Sequence, residues 1–202
     1  SKPDLKIYNM LDYNEIRERK VIVYEEEPWE VISSHVFRKQ QRKPVNATKL
    51  KNLITGRVLE SSLHVSEKAA EADITKRPAK YIFQKKDEYC FVDPKDPKNR
   101  FFLKTDILGD SMKWAKENSE LELKIFTDKN GEERIIGVAV PNKVSLTVTE
   151  APPNIKGDTA TGGTKVVTLE TGTNINAPMF INVGDKVIVN TETGQYTERD
   201  SS

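Results

Sequence analysis

The stretch that decides the fold is Leu121-Glu-Leu-Lys-Ile-Phe126, followed by Thr127-Asp-Lys-Asn-Gly-Glu132 and then Glu133-Arg-Ile-Ile-Gly-Val-Ala-Val140. Two β-prone runs flank Asn130-Gly131, and Asn-Gly is the pair that a tight two-residue hairpin turn demands, because both of its central residues take positive φ. The stretch therefore reads as an antiparallel hairpin. The same style recurs on either side. Upstream, runs at 79–83 and 89–92 flank a polar turn at 85–88, and 101–103 follows a proline-rich turn at 93–100. Residues 110–117 form the best short helix, with Met112, Trp114 and Ala115 apolar. Further upstream, runs at 21–24, 29–32, 47–53 and 58–64 are separated by an acidic turn at 25–28 and a turn at Thr55-Gly56. Downstream, runs at 143–149, 164–170, 174–176, 186–190 and 195–198 are punctuated by Val183-Gly184 and Thr193-Gly194.

Many short strands with regularly spaced turns predict barrels or sandwiches. A parallel α/β fold needs repeated long helices, and the pattern has none. Composition points the same way. Of 202 residues, 36% are hydrophobic and 31% charged, which suits several thin domains better than one thick core. Two breaks are visible: an acidic, alanine-rich stretch at 67–73, and Pro141-Asn142. The expected domains are 1–73, 74–140 and 141–202.

Net charge is +1, so any attraction to nucleic acid must be local. Cys90 stands alone, and His35 and His64 are the only histidines. Neither a disulfide nor a metal motif can be assembled from them, and a reducing, cytoplasmic setting is expected. There is no apolar run of membrane-helix length, no secretory leader pattern, no phosphate-binding loop and no nucleophile–base set. An enzyme is not expected, nor is any cofactor or metal. Trp29 and Trp114 read as core anchors, and His35 and His64 as surface or edge residues.

One local feature stands out. Residues 36–57 hold no acidic side chain but contain Arg38, Lys39, Arg42, Lys43, Lys49, Lys51 and Arg57. The densest part, Arg38-Lys39-Gln40-Gln41-Arg42-Lys43, is bounded by Pro44 and lies between two strand candidates, which predicts a hairpin tip. Such a tip can aim cations at phosphates while glutamine amides bond bases or sugars. It also fits a solvated tip whose charges merely discourage edge pairing.

The C-terminal third is more specific. It reads Lys165-Val-Val-Thr-Leu-Glu-Thr-Gly172-Thr-Asn-Ile175-Asn-Ala-Pro178-Met-Phe-Ile181-Asn-Val-Gly184. This resembles the signature of bacterial elongation factor P, with Val167 where the family usually has Ala and Ala177 where it usually has Val. The segment at 152–160, the closing Gly194-Gln-Tyr-Thr-Glu-Arg199, Ile107-Leu-Gly-Asp-Ser-Met-Lys-Trp114 and Lys51-Asn-Leu-Ile-Thr-Gly56 resemble family segments in the same order. The resemblance implies a mostly β fold of three small β-barrels in a row, an N-terminal SH3-like barrel followed by two OB-fold barrels. It implies a translation elongation factor that binds the ribosome, both subunits, beside the peptidyl-tRNA. Such a factor promotes peptide bond formation at poor substrates such as consecutive prolines. Ribosomal RNA is a further implied partner, a membrane is not, and a monomer is expected. The alternatives are a paralogue of the same architecture with another ribosomal role, and a general OB-type RNA-binding protein.

The resemblance also implies roles for residues. In the family a Lys or Arg at the finger tip, commonly preceded by Gly, is often extended by a covalent modification. Counting back from Asn52 without a gap places Gln41 at that tip and Gln40 at the preceding Gly. A one-residue shift would place Arg42 there, with Lys43 nearby. Glutamine lacks the amine or guanidinium that the modifications use, so an unmodified finger is expected. Arg38, Lys39, Arg42 and Lys43 are expected to grip RNA backbone, with Gln40 and Gln41 near the acceptor end. Tyr196 and Arg199 are candidates for docking the third barrel, or else a packing aromatic and a rim charge.

Overall fold

A computed structural model describes residues 7–154 and 162–202. The part of the 152–160 segment from 155 onward lies outside the described residues. The protein is mostly β, with three sheets, each built from one third of the chain.

The first sheet has six strands in the order β1-β6-β2-β3-β4-β5. These are β1 (Met10–Asp12), β2 (Val21–Tyr24), β3 (Glu27–Phe37), β4 (Val45–Asn52), β5 (Val58–His64) and β6 (Lys68–Glu71). Its core is small: Leu11, Ile16, Ile22, Trp29, Val31 and Leu50 are buried together. Trp29 is the anchor expected of it, and its indole Nε1 donates to the Tyr24 carbonyl at 3.0 Å. The bounds of β2 and β5 are those the sequence predicts. The stretch at 67–73 corrects the reading, because it contains β6. Lys68-Ala-Ala-Glu71 has weak strand propensity but pairs with β1 on one side and β2 on the other.

The middle sheet runs β11-β10-β7-β8-β9, with β7 (Asp73–Lys85), β8 (Glu88–Asp93), β9 (Asp96–Lys104), β10 (Glu120–Thr127) and β11 (Glu133–Ala139). The hairpin quoted at the outset is β10–β11, and Gly131 has φ of 81° at its turn. The proline-rich turn is shorter than expected, since β9 begins at Asp96 and includes Pro97. Proline is tolerated there because β9 is an edge strand. The helix also departs from expectation. It forms as α1 (Thr105–Leu108) and a 3-10 turn at Gly109–Trp114, so residues 115–117 are not helical. Gly109, at φ 59°, sits where the one gives way to the other.

The third sheet runs β14-β13-β12-β15-β16, with β12 (Lys143–Glu150), β13 (Thr164–Leu169), β14 (Asn174–Pro178), β15 (Lys186–Asn190) and β16 (Gln195–Arg199). The signature residues build this barrel. Val167 and Ala177, its two departures, are both in the core with Ile175 and Ile181. Gly172 and Gly184 take φ of 81° and 90°. Lys165 is buried, and its Nζ donates to the Pro152 carbonyl at 3.0 Å and to Asn154 Oδ1 at 2.8 Å. Trp114 joins this same core.

By compactness the chain divides into two units, Ser1–Arg77 with Leu123–Gly137 and Pro78–Glu122 with Val138–Ser202. That division cuts β7, β10 and β11. Within the first unit Arg77 pairs with Glu133 at 2.8 Å, and Lys129 pairs with Glu26.

Candidate nucleic-acid interface

The finger is the β3–β4 hairpin. Its strands pair from Trp29↔Asn52 to Phe37↔Val45, with one irregularity between Val31 and Ser33. Val31 faces Leu50 and Ser33 faces Lys49, so Ile32 is an extra residue on β3. A bulge of this kind inverts which residues face inward. Below it Trp29 and Val31 point into the core. Beyond it Ser33, His35 and Phe37 share the outer face with Lys49, Ala47 and Val45, their partners on β4. The inner face there carries Ser34 and Val36 opposite Thr48 and Asn46. Asn46 is fully buried and donates from Nδ2 to the Tyr13 and Ile16 carbonyls at 2.7 and 2.9 Å.

At the tip, the Arg42 amide donates to the Lys39 carbonyl at 3.0 Å, closing a four-residue turn over Gln40 and Gln41. Of those two, only Gln40 has positive φ, at 49°. Positive φ at the first central residue alone is the type II′ pattern, in which that position prefers glycine. The backbone thus keeps the conformation a glycine would serve, although glutamine occupies it. Arg38 braces the turn from outside, its Nε donating to the Arg42 carbonyl at 2.7 Å. Arg38, Lys39, Gln40, Gln41, Arg42 and Lys43 are all exposed. Among the described residues none of the four cations forms an ion pair. The Lys39 ammonium lies 5.9 Å from the Phe37 ring centre.

The turn geometry makes a prediction. A β-branched residue in the left-handed region is a steric outlier, whereas glycine is at home there. In amide exchange, Gln40→Val is expected to speed exchange of the Arg42 N–H by about 5–30-fold, the equivalent of roughly 1–2 kcal/mol of added strain. Gln40→Gly is expected to leave that amide as protected as in the parent, or more so. Equal exchange in all three would mean that the tip does not hold this turn.

The structure brings the six finger residues together on one tip. Tyr196 and Arg199 lie on β16 in the second unit. Tyr196 packs partly against the third barrel's core, and burial pushes its phenol up, opposed by Arg199. Arg199 is exposed opposite Val187. Two features escaped the sequence reading. One is the Arg38 brace. The other is a pair of nearly parallel rings, His35 and Phe37, with centres 5.9 Å apart and planes at 14°. His35 is exposed, as expected of it. The motif at 51–56 is a turn former, because buried Asn52 Oδ1 accepts from the Ile54 and Thr55 amides at 2.7 and 2.9 Å. Among the described residues no cluster of three or more His, Cys, Asp or Glu is placed to hold a metal ion, and no helix is long and apolar enough to cross a membrane.

A small SH3-like barrel with a cationic hairpin, followed by OB-type barrels, is the architecture of a class of translation factors. Residues 12–69 match the family model described as the elongation factor P KOW-like domain, and 144–199 match that of the elongation factor P C-terminal domain. Elongation factor P of Carboxydothermus hydrogenoformans is 36% identical over 190 residues, covering 94% of this chain and 100% of that one. That of Brachyspira hyodysenteriae is likewise 36% identical over 190 residues, covering 94% and 98%. That of Moorella thermoacetica is 42% identical over 152 residues, covering 75% and 79%. The chain belongs to the bacterial elongation factor P family, and is a translation factor.

Proposed function

We propose that this chain acts without chemistry of its own, binding the ribosome and holding the peptidyl-tRNA acceptor end in a reactive geometry. Proline restricts its own backbone, so consecutive prolines make poor substrates for peptide transfer. Fixing one reactant removes part of the orientational cost and needs no acid, base or nucleophile. The observation that carries this reading is the tip itself, six exposed residues on a closed turn whose cations form no ion pair among the described residues. In this reading Lys39, Arg42 and Lys43 contact RNA phosphates. Arg38 spends one donor on the turn and keeps the rest of its guanidinium for the same purpose. Gln40 and Gln41 approach the acceptor end. The three sheets act as three domains, 1–73, 74–140 and 141–202, with Tyr196 and Arg199 helping to dock the last. The protein works as a cytoplasmic monomer touching both ribosomal subunits through ribosomal RNA and the tRNA.

Sedimentation with ribosomes tests this. Lys39, Arg42 and Lys43 changed together to alanine should weaken binding and flatten its salt dependence by roughly 2–3 in the slope of log K against log salt. The same number of changes at the exposed Lys85, Lys86 and Lys95 should do much less. Unchanged affinity and salt response in the finger variant would remove the phosphate contacts from the reading.

A further inference from the structure

The bulge at Ile32 turns two aromatic rings out of the barrel, and the phosphate-directed tip does not use them. His35 and Phe37 lie two residues apart on the outer face of β3 and are nearly parallel. The Lys39 ammonium covers Phe37. The three therefore form a row along the finger: imidazole, phenyl ring, ammonium. Phe37 is half-buried, whereas His35 is exposed. Beside His35 a shallow groove of about 370 Å³ opens on the same face, lined by Ser33, Ala47, Lys49, Glu60 and Ser62 among others. It reaches His35 but not Phe37. Directly across from His35 stands Ala47, and beyond that Ser62. Small side chains there leave the imidazole with no bulky neighbour across the sheet.

We propose that His35, backed by Phe37, is a stacking ledge for one unpaired RNA nucleobase, and that the groove receives the base and its ribose. The inference rests on the ribosomal reading above and adds to it a base-contacting site separate from the tip. A flat ring offers every base a partner, so stacking tolerates any sequence. The surroundings suit a polyanion better than an apolar peptide. Residues 36–57 carry no acid, and among the described residues the tip cations form no ion pair. Among the described residues Glu60 is the one acid lining the groove, and it lies directly across from Lys49. Hydroxyls of Ser33 and Ser62 stand at the groove to bond base edges or a ribose. The basic tip holds the backbone, and the ledge takes a base that the backbone presents.

The test uses the full chain with two probes of equal phosphate count, hexa-adenylate RNA and an abasic ribose-phosphate hexamer. The parent is expected to prefer hexa-adenylate roughly tenfold, the scale of one base stacked on one aromatic ring. His35→Ala should remove that preference through weaker hexa-adenylate binding, with abasic binding moved far less. His35→Tyr, which keeps a flat ring, should restore it. His35 is exposed, so His35→Ala should keep the parent's unfolding midpoint. Equal affinity of the parent for the two probes, or a preference that survives His35→Ala, would overturn the ledge, as would preferential capture of an apolar peptide on this face. Ribosome sedimentation in parallel separates the two readings. A parent that sediments with ribosomes but does not distinguish the probes loses only the ledge. A parent that distinguishes the probes but never sediments with ribosomes keeps the ledge and loses the ribosomal reading.

Discussion

Replacing Trp29 with alanine is expected to cost the N-terminal barrel about 3–5 kcal/mol, the usual range for a buried large aromatic. Domains of this kind hold roughly 5–15 kcal/mol in total. Among the described residues the N-terminal core has six buried apolar side chains, so one indole is a large share of it. The indole fills the space beside Leu50 and Val31, and its ring sits edge-on to Tyr24 at 5.8 Å. The Arg57 guanidinium lies 5.7 Å from its centre. Loss of the ring removes all of this and leaves the Tyr24 carbonyl without the indole donor. Trp29→Phe keeps most of the apolar contact and loses the hydrogen bond, so its cost should be nearer 1–2 kcal/mol. Urea unfolding followed by circular dichroism, with amide exchange on β2, β3 and β4, reads both variants. A cost below about 1 kcal/mol for the alanine variant would show that Trp29 is not the anchor of this core.

What made Trp29 legible was its setting, an aromatic in a short apolar run next to an acidic turn. The same local signals gave the bounds of β2 and β5 and the β10–β11 hairpin. They failed where a strand is made by its partners and not by its own residues. β6 is Lys-Ala-Ala-Glu, and nothing in those four residues favours an extended chain over a helix. It is a strand because β1 and β2 offer it two edges, and β1 is itself only three residues long. The helix was misplaced for a related reason. Met112 and Ala115 are apolar at i, i+3, a helical spacing, but Trp114 between them enters the third barrel's core. The finger shows the same limit. Its charge was plain in the sequence, and the ungapped count from Asn52 set Gln40 where the resemblance implies a glycine. The outward-facing His35 and Phe37 were not, because strict alternation from Trp29 and Val31 would have turned them inward. One inserted residue, Ile32, reverses the faces, and composition carries no mark of it. The Arg38 brace is likewise a matter of geometry, since a charge count cannot tell a cation that holds its own turn from one that waits for a phosphate.

On the proposed reading, protein made in a host that lacks every finger-modifying enzyme should still relieve stalling on a Pro-Pro-Pro template in cognate reconstituted translation. In the family the tip residue is commonly extended by modification to reach the acceptor end. Here the ungapped count puts Gln41 at that place, and its amide has no nucleophile for such chemistry. Its backbone is held by a closed turn and by the Arg38 brace. A side chain held in place costs less to position than a mobile one, which offsets part of what a longer, modified residue would reach. The amide can both donate and accept, so it can meet a base or a ribose without added charge. Gln41→Ala should therefore lower the rate of peptide bond formation on this template by roughly 10–100-fold, the scale on which loss of alignment acts. Ribosome binding should change little, because the flanking cations supply it. That split, rate lost and binding kept, marks a group that acts in the reactive arrangement and not in general affinity. Mass spectrometry of native protein supplies the complementary measurement and should find residues 38–43 with their unmodified mass. An inactive unmodified protein, restored by a mass added on Arg42 or Lys43, would move the tip by one or two residues. A Gln41→Ala variant as active as the parent would pass the positioning role to Lys39, Arg42 and Lys43.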